Sequence, residues 1–327
     1  NWSGGVVPSG AAPIAIPALG AGKAYPVLPA TIGGNLTILA GGEATVNVAT
    51  TITGNLKIES NANGGTGTIL KTGGSLAVNG TTTVQQYVTS GRYWFVASPM
   101  STYTLTMPSG SQKWIWNEST QSYSTSGNVA SGQGLVIKSG STGIISFSGS
   151  PLNFGDATLN LTHDNTNKLY TDGQSYAGSN ILGNPYPSFL DWYLVYTNNS
   201  GLSSTIWYRV NGAYQTYNAT NGQSVPNSVS LRYIPPMQSV WAWVGSNKSV
   251  TLKNSYCVSR TATSNSLKAD DTDTESDIFR ISVENGKYSD EQVVLFNKNA
   301  EDGYGLWDSE KRFADKDSIP QLYSIID

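Results

Sequence analysis

The chain is poor in the residues that metal centres and covalent catalysis draw on. Among 327 residues there is one cysteine, Cys257, and one histidine, His163. A lone cysteine excludes an internal disulfide, and with a single histidine beside it a zinc site lacks ligands. His163 sits in Leu161-Thr-His-Asp-Asn165 without a Gly-x-Ser-x-Gly elbow anywhere in the chain. A surface turn therefore explains it better than a Ser-His-Asp relay. Charged residues amount to 13%, about half the usual share. The net charge of -3 offers no basic field to gather phosphates, so nucleic acid is not an expected partner. Phosphate loops and dinucleotide motifs are missing too. No apolar run approaches the roughly 20 residues that a membrane helix needs, and no transmembrane segment is expected. Glycosidic chemistry needs two carboxylates across a cleft, yet the central region carries only Glu118, Asp156, Asp164, Asp172 and Asp191, singly placed. Asp191, between Leu190 and Trp192, is the best placed for partial burial, and capping the adjacent corner explains it equally. The expectation is a protein that is not an enzyme.

What the chain has in abundance is Gly (35), Tyr (18) and Trp (9), with many Ser, Thr and Asn. So many buriable rings exclude a disordered chain, and a polar surface without much charge fits an all-β extracellular protein. Secretion without disulfides points toward a bacterial surface. The chain starts at Asn1 without Met or a signal peptide, as a processed or excised piece of a longer protein would.

Residues 1–30 hold five prolines among small residues and read as an extended, Pro-rich opening segment. A repeat occupies residues 31–84: Thr31-Ile-Gly-Gly-Asn-Leu-Thr-Ile38, Thr51-Ile-Thr-Gly-Asn-Leu-Lys-Ile58 and Lys71-Thr-Gly-Gly-Ser-Leu-Ala-Val78. A period of roughly 20 residues is one coil of a parallel β-solenoid. That reading stacks Leu36, Leu56 and Leu76 in one inward column and Ile38, Ile58 and Val78 in the next. A meander of antiparallel hairpins is the alternative. So short a stack should have its end covered by the chain downstream of Val84.

Residues 85–262 change to short aromatic strands bounded by Gly, Ser, Asn or Pro, the pattern of a β-sandwich of Greek-key or jelly-roll type. Within them, Gly178-Ser-Asn-Ile-Leu-Gly-Asn-Pro-Tyr-Pro-Ser-Phe-Leu-Asp-Trp192 looks like the hub. Pro185 and Pro187 make Asn184–Ser188 a stiff, non-helical crossover. Residues 263–277 form an acidic linker. Residues 278–327 read as a partial C-terminal β domain, with strands at Ile278–Val283 and Glu291–Phe296 and a third at Ile319–Ile326. With so few strands, further residues or a partner should cover its apolar face.

Trp114 with Trp116, and Trp241 with Trp243, each share a strand face. A solvated face would make them a platform for sugar rings, an inward face makes them core, and core is the stronger expectation. Tyr208, Tyr214 and Tyr217, around the Asn211-Gly-Ala213 turn, are better candidates for an exposed ligand patch, and Trp114 and Trp116 join them as ligand-binding candidates where their face is solvated. No cofactor is expected. Calcium is the one metal with candidate ligands, namely Asp164, Asn165, Asn167 and Asp172 or the Asp270-Asp271-Asp273 run, because oxygen-rich loops suit it.

Several motifs resemble large secreted, adhesin-like surface proteins of Bacteroidota. They are Asn1-Trp-Ser-Gly-Gly-Val-Val-Pro8, Ile14–Pro17 and Tyr25-Pro-Val-Leu28, the Gly-Asn-Leu-x-Ile coils, Arg92-Tyr-Trp-Phe-Val-Ala-Ser-Pro99, Gly132-Gln-Gly-Leu-Val136, Leu182-Gly-Asn-Pro-Tyr-Pro187, Ile234-Pro-Pro-Met-Gln238 and Tyr288-Ser-Asp-Glu-Gln-Val-Val-Leu-Phe-Asn297. The resemblance covers nearly the whole chain. It implies export by the type IX secretion system, with that system's components as partners, although Asp327 is reached without a recognisable sorting domain. Two functions are the resulting expectations. One is a non-catalytic adhesin-like stalk carrying a binding or display module at the bacterial cell surface, facing an extracellular glycan or surface protein. The other is a carbohydrate-binding region accessory to a secreted polysaccharide-degrading enzyme.

Overall fold

A computed structural model describes residues 10–20, 22–166, 168–170, 175–226, 230–261 and 277–325. The described chain is almost all β, and its α-helix Trp192–Thr197 is less than two turns long. No described helix is long and apolar enough to cross a membrane.

The N-terminal part winds through parallel ladders. Ile14–Ile16, Leu36–Ile38, Leu56–Ile58 and Thr82–Val84 lie side by side in parallel, with Ile14, Leu36, Leu56 and Thr82 in register and Ile16, Ile38, Ile58 and Val84 in register two residues on. A second ladder joins Thr31–Ile32, Thr50–Ile52 and Leu76–Val78, and a third joins Glu43–Val46 to Thr68–Lys71. The hairpin-meander alternative is thus excluded for these strands. The first ladder also begins upstream of residue 31, at Ile14.

One expected column is corrected. Leu36 and Leu56 do stack, but Leu76 pairs with Thr50 and Val78 with Ile52 on a different face. The reason lies in the corners. Asn35 Oδ1 accepts the Asn55 amide at 2.8 Å, and Asn55 Oδ1 in turn accepts the Thr81 amide at 2.8 Å. A Cβ on Gly54 would lie 2.3 Å from Asn35 Oδ1, and one on Gly80 would lie 2.4 Å from Asn55 Oδ1, so the glycine before each corner residue makes room for the asparagine rung. The third corner is therefore Gly80-Thr81, not Gly74-Ser75. A small antiparallel hairpin, Ser60–Asn61 with Gly65–Thr66, lengthens the coil between, and the rung spacing grows from 20 to 26 residues.

Thr82–Val88 ends the stack. One of its edges is parallel to Leu56–Ile58, and the other is antiparallel to Gly143–Gly149, which pairs in turn with Tyr103–Thr106. The interior continues without a break from Ile38, Ile58 and Val84 to Ile145, Phe147, Ile137 and Met100, all fully buried. No separate core begins at residue 85.

A second core gathers residues 157–257. Its hub is the expected crossover, where Asn184, Tyr186, Ser188, Leu190 and Trp192 are all inaccessible to solvent. Asn184 takes the place of missing backbone partners in the Pro-rich corner. Its Nδ2 donates to the carbonyls of Ser188, Ile234 and Pro235, and its Oδ1 accepts the Tyr186 amide. The Tyr186 hydroxyl reaches the carbonyls of Leu252 at 2.6 Å and Gly155 at 3.0 Å. Asp191 caps the helix by accepting the Tyr193 amide and forms a two-point ion pair with Arg232, which accounts for its burial without any chemistry. The coil docks on this core through Ile69 N to the Pro187 carbonyl at 2.7 Å and Asn254 Nδ2 to the Lys71 carbonyl at 2.8 Å. Buried Glu43 anchors the same contact by accepting Ser259 Oγ and the Arg260 amide.

Of the linker, only Asp277 falls among the described residues. Asp277–Glu284 and Ser289–Phe296 form the two expected strands, as one hairpin. Where the third strand was expected, the described residues 319–325 adopt no regular structure, and Ile326 lies outside them. Ile319 is instead buried, its Cδ1 close to Gly212 in the turn between Leu202–Val210 and Ala213–Asn218. The hairpin leaves Phe279, Phe296, Ile278 and Ile281 exposed. The strand-free tail after it runs back over the Leu202–Asn218 hairpin. Ser204 Oγ donates to the Leu306 carbonyl, Trp207 Nε1 to the Glu310 carbonyl and Asn221 Nδ2 to the Trp307 carbonyl.

Candidate functional site

Two sheets face each other across a layer of aromatic side chains. The first has the order Tyr93–Val96, Leu135–Lys138, Gln112–Asn117, Ser122–Ser124; the second runs Ser179–Gly183, Ser239–Val244, Leu202–Val210, Ala213–Asn218, Ser224–Val225. Register decides which residues meet. In the first sheet Phe95, Val136 and Trp114 form one row, and Trp116 stands opposite Tyr123. In the second, Ile181, Trp241 and Trp207 form a row, and Arg209 stands opposite Tyr214. The two sheets are joined at their edges by the Val96–Gln238 and Gln133–Leu182 bridges.

Between them opens a cleft of about 400 Å³. Trp116 is its floor: it is buried, its Nε1 donates to the Ser179 carbonyl at 2.7 Å, and its ring lies 4.9 Å from Tyr123, 5.7 Å from Trp241 and 5.8 Å from Tyr170. Most of these pairs are edge-to-face, the arrangement ring quadrupoles favour. Tyr93 and Trp114, 5.8 Å apart, stand at the rim, with Tyr93 40% exposed. Burial, reinforced by the neighbouring phenols of Tyr214 and Tyr170, pushes the Tyr123 hydroxyl well above its ordinary pKa, so it remains a neutral donor.

The remaining wall is cationic and comes partly from the tail. Arg209 packs over Tyr214 and is ion-paired with Asp315. Arg312 lies over the rings of Trp207 and Trp241, at 4.5 and 5.3 Å, and donates to Ser179 Oγ at 2.9 Å.

Of the residues expected at a ligand patch, Trp114, Trp116 and Tyr214 line this cleft together. Tyr208 and Tyr217 do not: both are buried in the second core. The correction comes from strand pairing. Residues directly opposite share a face, so Ile206 and Tyr217 point one way with Tyr208, while Trp207, Arg209 and Tyr214 point the other. Trp241 is core, as expected, whereas Trp243 is 36% exposed, with its Nε1 bonded to the Ala177 carbonyl.

The calcium candidates are engaged locally where they are described. The Asp164 carboxylate accepts Thr166 Oγ1, the Thr166 amide and the Lys168 amide, and the first of these is the main reason its carboxyl lies below the usual range. Asn165 Oδ1 bonds the His163 ring. Asn167, Asp172 and the 270–273 run lie outside the described residues. No group of three His, Cys, Asp or Glu able to hold a metal occurs among the described residues. His163 itself sits in an irregular segment, its ring edge-on to Trp243.

Sequence reasoning missed Tyr93, Tyr123, Tyr170, Tyr176, Arg209 and Arg312 in the cleft. Tyr93 was legible, being two residues from Phe95 on one strand. Arg312 was not, because nothing local shows where a strand-free tail will lie. No protein-family model, curated protein or solved structure matches this chain.

Proposed function

We propose that this chain is a non-catalytic bacterial surface protein in which the parallel coil is a β-solenoid stalk and the two facing sheets are a β-sandwich binding module for an extracellular glycan. The observation that carries this reading is the cleft: ring faces of Trp114, Tyr93 and Tyr214 beside hydrogen-bonding groups, with no paired carboxylates or nucleophile among its described lining residues. Sugar rings present apolar C–H faces that stack on indole and phenol, and polar groups at the rim orient them. The resemblance to secreted, adhesin-like proteins of Bacteroidota supports a cell-surface location and export by the type IX system. A second reading uses the same cleft, as the carbohydrate-binding region of a larger polysaccharide-degrading enzyme. Structural polysaccharides as the preferred ligands would favour it over adhesion.

A glycan array on the full chain, beside the Trp114→Ala variant, tests the reading. Specific glycan binding that falls about tenfold or more in the variant, with the melting curve retained, is the expected result. Silence across the array, or binding indifferent to Trp114, refutes it.

A further inference from the structure

The cleft is built with a surplus of donors. Trp241 Nε1 and Arg312 Nε are both buried without a hydrogen-bond partner among the described residues, and both residues line the same cavity. Among its lining residues the one carboxylate, Asp315, is engaged by Arg209. No described carboxylate forms an ion pair with Arg312, whose Nη2 finds the Ser179 hydroxyl instead. Leaving a buried donor unmatched is costly, the more so when the group is charged. Burial draws the Arg312 pKa down from its ordinary value, yet a guanidinium remains charged at neutral pH. Two orphan donors beside a cation that meets rings and a hydroxyl, with Glu310 acting on it at a distance and no described carboxylate in direct contact, make a site that favours an acceptor with negative charge.

Resting on the glycan-binding reading above, we infer that the cleft takes an acidic sugar, a uronate-type residue whose carboxylate faces Arg312 while its ring stacks on the rim aromatics. A planar carboxylate suits the guanidinium fork, which grips two oxygens at once, and it accepts without bringing a donor of its own. A neutral sugar would leave the cation unmatched. A sulfate ester would supply the charge and can also meet the fork with two oxygens, so the sulfated probe decides between the two anions. Arg209 plays no part in reading the charge, because Asp315 already holds it.

The test is equilibrium binding of the full chain to oligogalacturonate, its carboxyl-reduced neutral counterpart and a sulfated galactan oligomer, at two salt concentrations. The acidic oligomer is expected to bind at least tenfold more tightly than the reduced one, with affinity falling as salt rises. Arg312→Gln should erase that preference. Arg312→Lys, which keeps the charge but loses the fork, should keep part of it, and it serves where the Gln variant fails to seat the tail. Equal binding of acidic and reduced oligomers, or a preference that survives Arg312→Gln, overturns the inference while leaving the glycan reading intact. Tighter binding of the sulfated probe overturns the carboxylate assignment. Failure of all three probes while the array returns other, neutral glycans also overturns it, whereas failure of the array as well removes the glycan reading itself.

Discussion

Replacing Leu56 with alanine, and separately Leu76 with alanine, tests the register of the parallel coil. Leu56 is 1% exposed and stands between Leu36 and Thr82 in the inner column. Truncation removes three carbons, worth about 2.4 kcal/mol at roughly 0.8 kcal/mol each, and the cavity left between fixed rungs raises the loss to about 2–5 kcal/mol. Leu76 is only partly buried, at the edge of its ladder. It has water on one side, so its truncation should cost about 1 kcal/mol. By thermal melting the first variant falls by roughly 5–15 °C and the second by a few degrees. Guanidinium titration at unchanged slope confirms that the change is one of stability. Equal losses at the two positions would place Leu76 in the same column as Leu56 and refute the asparagine-rung account of the corners.

Buried polar groups give two further outcomes. The Cys257 thiol, pushed up to about 12 by burial, should resist a thiol-specific disulfide reagent at pH 8 in the folded protein, where only about one molecule in 10⁴ is thiolate. Because its folded pKa lies above the ordinary 9.0, its contribution is fully present below pH 9 and is lost as pH rises toward 12. Labelling as fast as in denaturant would show the thiol is accessible. Arg232→Ala strands the Asp191 carboxylate, whose side chain is 4% exposed against 36% for the arginine. The expected cost is about 1–3 kcal/mol, below that of a fully buried pair because water reaches the guanidinium. An unfolding midpoint unchanged by the substitution would mean that the ion pair contributes nothing measurable.

Much of the fold was legible because its strands obey local rules. Gly-Asn-Leu-x-Ile marks a corner followed by two inward side chains, and the crossover at Asn184–Ser188 is forced by two prolines. The misplaced third coil shows where such reading stops. Gly73-Gly74-Ser75-Leu76 looks like Gly33-Gly34-Asn35-Leu36, but a serine in place of the asparagine cannot reach the next rung, and the intervening hairpin shifts the true corner to Gly80. Likewise, alternating apolar residues at 278–283 correctly marked a strand. The apolar residues of 319–325 are instead spent singly, with Ile319 covering Gly212.

The site was legible by halves for a reason of the same kind. Period-two alternation puts Trp114 and Trp116 on one face, and the Asn211-Gly212 turn pairs Arg209 with Tyr214. Which face meets the other sheet depends on edge bridges between residues about 50 to 140 positions apart, such as Val96–Gln238, and no local pattern encodes those. The tail adds a further dependence. Arg312 reaches Trp207 and Trp241 only because side chains at Ser204, Thr205, Asn218 and Asn221 hold residues 306–309 in place. A ligand gripped by Arg312 binds only the state with the tail seated, so it must stabilise that state by RT ln(1 + [L]/Kd), about 2.7 kcal/mol at a hundredfold excess over Kd. Slowed amide exchange across 304–315 on adding ligand would register that coupling. Exchange there that is unaltered at saturation would mean that the ligand is held by the sheets alone and that Arg312 is not its contact.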